Sequence, residues 1–75
     1  MSEKYVYHAM DITLDVYEKI STVVFMIAEQ EYISFEEAYQ KFVDSRVYKM
    51  LQNVDTLMWS ESSEYIVAEY YRSLK

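Results

Sequence analysis

The sequence predicts an all-α fold: a compact four-helix domain with one long N-terminal helix and three shorter ones, expected to form a dimer. Three observations carry this. Apolar residues recur three and four positions apart along most of the chain, the spacing that gathers side chains on one side of a helix. Neither glycine nor proline occurs in the 75 residues, which disfavours tight hairpins and all-β folds. Hydrophobic residues make up 52% of the chain, too many for a disordered polymer.

The first helix is expected from about Glu3 to Gln30. At 100° per residue, Val6, Ala9, Met10, Thr13, Val16, Tyr17, Ile20, Val24, Ile27 and Ala28 share one face, with Asp11, Asp15, Glu18, Thr22 and Glu29 opposite. From Val23 to Ala28 the helix is apolar around nearly its whole circumference, which predicts burial on all sides. The N-terminal half keeps a single stripe that extends beyond the core and needs a partner, most economically a second copy.

Glu31, Tyr32 and Ile33 form a connection. Ser34 and Glu37 then have the spacing of a capping box, which opens a second helix with Phe35, Ala38, Tyr39, Phe42 and Val43 on its stripe. Asp44 and Ser45 interrupt it and cap a third helix carrying Val47, Leu51 and Val54. Asn53 and Asp55 mark a turn, with Asn tolerating left-handed geometry. The serines between Ser60 and Ser63 offer caps for a last helix with Ile66, Val67, Tyr70, Tyr71 and Leu74 as its stripe. Arg72 and Lys75 suit the negative end of its dipole.

Length bounds the chain to one domain, residues 1–75. So short a chain buries only about 60–65% of the surface its unfolded form exposes, so small domains often add disulfides, metals or self-association. The absence of Cys excludes disulfides and thiolate metal sites, and a single His excludes a multi-histidine site in one chain. Self-association remains. Seven basic against thirteen acidic residues give a net charge of −6, which repels phosphate backbones and disfavours nucleic acid as a partner. No basic segment followed by an apolar run opens the chain, and no apolar window approaches the ~20 residues of a membrane span. A cytoplasmic protein that does not engage the membrane is expected.

The stretch from Ile33 to Tyr70 carries three motifs. Ile33 to Tyr39 reads I-S-F-E-E-A-Y; Phe42, Ser45, Tyr48 and Leu51 read F-x-x-S-x-x-Y-x-x-L; Trp59 to Ile66 reads W-S-E-S-x-x-Y-I. Over about half the chain, this resembles a group of short bacterial helical proteins of unknown function. Their genes sit in small cassettes, some beside proteins similar to ADP-ribosyltransferase toxins. The resemblance implies a bacterial, antitoxin-like or cassette accessory role. It brings no catalytic residue with it, because its motifs are caps and core positions.

Catalysis has little to build on. Nucleophilic chemistry needs a nucleophile, a base and an orienting group. His8 with Asp11 is the one imidazole–carboxylate pair, and a solvated histidine explains it as well. Glu29, Glu31, Glu36 and Glu37 offer oxygen ligands to a hard cation, but a solvated acidic corner accounts for them, and Glu37 doubles as the capping partner of Ser34. The expectation is no enzyme, no cofactor and no bound metal.

Binding is better supported. Nine tyrosines cannot all fit so small a core, and Tyr joins an apolar body to a polar tip, which suits interfaces. Partner-binding candidates are Tyr48, Trp59, Tyr65, Tyr70 and Tyr71. The plain alternative is rings half-buried at the core edge, with Trp59 plugging a helix junction. Tyr70 and Tyr71 point about 100° apart on a helix, so one in the core leaves the other at its edge. The expected function is a non-enzymatic protein-interaction module. The alternative is a small helix-turn-helix DNA-binding regulator reading phosphates through Lys41, Arg46 and Lys49, against which stand the acidic balance and the missing turn glycine.

Overall fold

A computed structural model describes residues 5–74. Its first element is not a helix. Val6–Tyr7 (β1) pairs antiparallel with Met10–Asp11 (β2), Val6 opposite Asp11 and Tyr7 opposite Met10. The two residues between them, His8 and Ala9, are both left-handed, at φ 50° and 68°, as a tight two-residue hairpin requires. Each left-handed non-glycine residue costs roughly 1–2 kcal/mol. The offset lies in Tyr5 and Ile12 at the hairpin ends. Both are buried, which is worth about 1.5–3 kcal/mol for a large apolar side chain. The long helix expected from Glu3 therefore starts ten residues later, and the prediction for residues 3 and 4 lies outside the described residues. The β-favouring Tyr5, Val6 and Tyr7 pair here as a strand, and the absence of glycine did not prevent the turn.

The first helix, α1, spans Thr13–Glu31. Asp11 Oδ1 accepts a hydrogen bond from the Thr13 N–H at 3.0 Å, and Thr13 Oγ1 accepts from the Tyr5 N–H at 2.8 Å, so the hairpin is fastened to the helix start. Val16, Ile20, Val23, Val24, Ile27 and Ala28 form its buried side. The expectation of all-round burial near its end is corrected at Phe25, which is 54% exposed. The helix stops at Tyr32, left-handed at φ 59°, whose N–H reaches the Ala28 carbonyl, as does that of Ile33.

The second helix, α2, spans Phe35–Val43, and Ser34 Oγ accepts from the Glu37 N–H at 3.0 Å. The third, α3, spans Arg46–Gln52, and Ser45 Oγ accepts from the Tyr48 N–H while donating to the Phe42 carbonyl. Two single 3-10 turns follow, Val54–Thr56 and Met58–Ser60. Asn53 caps the first through its side chain but is itself extended; the left-handed residue is Leu57, at φ 60°. The fourth helix, α4, spans Ser63–Ser73 and is capped by Ser62. Lys75 lies outside the described residues.

One core joins these parts. Both α2 and α4 pack on α1, and α3 packs on α4. Phe42 and Tyr70 meet at its centre with ring centroids 5.8 Å apart. The hairpin closes one end: Tyr5 is buried, and its hydroxyl accepts from Gln52 Nε2 at 2.9 Å. Four helices and a long first helix agree with the sequence reading. The stripe from Val6 to Met10, the reason to expect a second copy, is absent because those residues form the hairpin.

Candidate protein-binding surface

The five tyrosine and tryptophan candidates do not form one surface. Tyr70 is 2% exposed and packs on Phe42, so it belongs to the core and offers nothing to a partner. Tyr71 is half-buried beside it, as their 100° offset on the helix requires; its hydroxyl donates to Glu31 Oε2 at 2.7 Å. Tyr48 is half-buried with its ring on Phe42, and its hydroxyl accepts from Gln52 Nε2 at 3.0 Å. Trp59 is half-buried at the junction of the 3-10 turns, its indole N–H donating to the Val54 carbonyl and its ring against Tyr7. Only Tyr65 of the five is exposed, on α4.

Glu31 ties three helices together. Its carboxylate accepts from Lys41 Nζ of α2 and from the Tyr71 hydroxyl of α4, both at 2.7 Å. These hydrogen bonds, Lys41 first, hold the Glu31 carboxyl below its ordinary range. Burial, then the bond to Glu31, pushes the Tyr71 hydroxyl well above its ordinary value. The same ion pair raises Lys41. Lys41 itself stays half exposed, in a surface ion pair with Glu31.

The exposed apolar groups lie elsewhere. On α1, Leu14, Tyr17, Ser21 and Phe25 fall within about 80° of arc, and Leu14, Tyr17 and Phe25 are 69%, 43% and 54% exposed. On α2, Phe35 and Tyr39 stand one turn apart, and with Glu36 and Gln40 they line a shallow depression. The opposite flank of α1, through Asp15, Lys19 and Thr22, faces Trp59, Ser60 and Ser63 across a polar cleft at the start of α4. The opposite flank of α2, through Lys41, reaches the Glu31–Tyr71 contact with α4. The side chains through which α1 and α2 approach α4 are therefore distinct from their exposed apolar residues. Tyr32, 95% exposed, caps the corner between the two helices.

Sequence reasoning placed Phe25, Phe35 and Tyr39 on core stripes. The signal it had was the count: α2 carries more large apolar groups than one narrow helix face can bury.

Other chemistry is sparse. The His8 ring stacks on Tyr7 at 4.2 Å in the exposed hairpin turn. Among the described residues, no group of three His, Cys, Asp or Glu is placed to hold a metal ion, and no helix is long and apolar enough to cross a membrane. Fold and surface together define a small, mostly helical, acidic protein with exposed aromatic residues on α1 and α2. Compared with known proteins, the chain matches no family model, no curated protein and no solved structure.

Proposed function

We propose that the chain is a non-enzymatic protein-interaction module acting in the cytoplasm. The observation that carries this reading is the exposure of large apolar side chains on α1 and α2, Leu14, Phe25, Phe35 and Tyr39, in a domain this small. Exposed apolar surface on that scale marks a contact site more often than chance decoration. The resemblance of the Ile33 to Tyr70 stretch supports a narrower version, an antitoxin-like or cassette accessory role.

The partner in this reading is another protein. The N-terminal stripe no longer argues for a second copy, and facing copies would each carry a charge of −6. The DNA-binding alternative is weakened by the engagement of Lys41 with Glu31 and by the same net charge.

The test is affinity capture of tagged protein from bacterial lysate with mass spectrometry, comparing the natural chain with a Phe25→Ser/Phe35→Ser variant. A defined protein recovered with the natural chain and lost with the variant supports the reading. Recovery of nucleic acid in place of protein, or identical recovery with both chains, overturns it.

A further inference from the structure

We infer that the polar cleft between α1 and the start of α4 receives an arginine side chain presented by a protein partner. This rests on the interaction-module reading and names a group that the partner brings. The cleft holds about 350 Å³, at the small end of the range for ligand sites, which suits a single side chain. Asp15 and Glu18 line it from α1, and Trp59 and Ser63 line it from the second 3-10 turn and α4.

The first ground is the indole. Its N–H donates to the Val54 carbonyl at 3.0 Å. With that donor taken, Trp59 offers the cleft ring surface alone, and the ring surface of an indole attracts cations. The second ground is charge. Asp15 and Glu18 stand one helical turn apart, both are exposed, and among the described residues neither takes part in an ion pair. The segments that line the cleft, residues 15–22 and 59–64, also carry Glu61 and Glu64, against Lys19 alone. The field there is therefore negative. Guanidinium answers both grounds at once. It is planar and weakly hydrated, so it lies on an indole, and its fork of N–H donors meets a carboxylate through two bonds. A lysine ammonium is a compact, strongly hydrated charge that makes neither the flat contact nor the fork. Lys19 lines the same cleft and competes for the same carboxylates.

Trp59 is the only tryptophan, so its fluorescence reports on the cleft directly. The full chain is titrated with the N-acetyl, N-methylamide derivative of arginine, which mimics an arginine inside a polypeptide. The same derivative of citrulline, which keeps the shape and lacks the charge, is the control. Free arginine is the third ligand. The arginine derivative changes the Trp59 emission and binds at least about tenfold tighter than the citrulline derivative. Free arginine binds more weakly than its derivative, because its carboxylate is repelled by the acidic walls. Asp15→Asn/Glu18→Gln, which alters exposed charges only, lowers the affinity at least about tenfold with an unchanged circular-dichroism spectrum. Lys19→Gln raises it about two- to threefold, and Glu36→Gln on α2 leaves it unchanged. Amide chemical shifts centre on Asp15, Glu18, Trp59 and Ser63.

Equal binding of the arginine and citrulline derivatives overturns the inference, as do shifts centred away from the cleft. Tighter binding of free arginine than of its derivative overturns the protein source in favour of a free amino acid. A response of Trp59 to inorganic phosphate and none to arginine overturns the sign of the site. A failure here with a defined protein captured from lysate discards the inference and leaves the interaction-module reading standing. Failure of both experiments discards both.

Discussion

Among the described residues, four take left-handed backbone conformations without being glycine: His8, Ala9, Tyr32 and Leu57. The sequence holds no glycine to place there, so the strain of these reversals falls on ordinary residues. Tyr32 is the cleanest place to measure it. Its ring is 95% exposed, so substitution removes no packing. Tyr32→Gly relieves a left-handed tyrosine of roughly 1–2 kcal/mol and returns part of that as unfolded-chain entropy. A net gain of about 0.5–1 kcal/mol in urea unfolding is expected. At the centre of the core the sign reverses. Phe42 has no exposure and touches both Tyr48 and Tyr70. Phe42→Ala removes about 3–5 kcal/mol, comparable with the whole stability of a small domain, so loss of the helical circular-dichroism signal at 25 °C is expected. The same logic separates the neighbouring tyrosines: Tyr70→Ala unfolds the chain, whereas Tyr71→Phe removes only the bond to Glu31.

The elements were legible wherever a signal is local. Serine at Ser34, Ser45 and Ser62 announces each short helix through one side-chain hydrogen bond three residues on, and all three bonds are formed. Ser34→Ala and Ser62→Ala are each expected to cost about 1 kcal/mol, read as a lower urea midpoint at unchanged slope. Signals that depend on neighbours misled. Val6 and Met10 fit a helical repeat as well as an alternating one, and the burial of Tyr5, hydrogen-bonded to Gln52 of α3, goes with the hairpin. Periodicity also assigned Phe25 and Phe35 to the interior. It identifies an apolar side, but how much of that side finds a neighbour depends on how α2 and α4 divide the surface of α1 between them. The candidate surface was unreadable for the same reason: the exposed rings are those that tertiary packing leaves over.

Across the whole molecule, the Glu31 contacts give stability a pH profile with two limbs. The Glu31 carboxyl is held below its ordinary value. Its share of stability is present above the pKa of the unfolded chain and is lost as pH falls through the folded value. Tyr71 is held above its ordinary value, and burial also raises Tyr70. Their share is intact below about pH 10, the ordinary tyrosine value, and declines as pH rises beyond it. Urea midpoints measured from pH 3 to 11 should therefore fall at both ends. Glu31→Gln should flatten the acid limb and shrink the alkaline limb without removing it, because burial of the two rings persists. An acid limb unchanged in that variant would show that Glu31 does not link the helices in solution.

The N-terminal hairpin is tied to the rest of the chain at Thr13, at Tyr17 through the Tyr5 ring, and at Gln52, forty-seven positions from Tyr5. Closing so distant a contact is entropically costly, which makes this segment the last to dock during folding and the first to lift from the finished protein. Lifting it bares Val16 and the end of the core without unwinding α1. Hydrogen exchange should reveal this as amides of residues 6–11 trading with solvent far faster than those of residues 23–28, and a protease should nick the chain first at His8 and Ala9. Any process that pulls on this end of the chain would then meet a weak latch before the helices themselves resist.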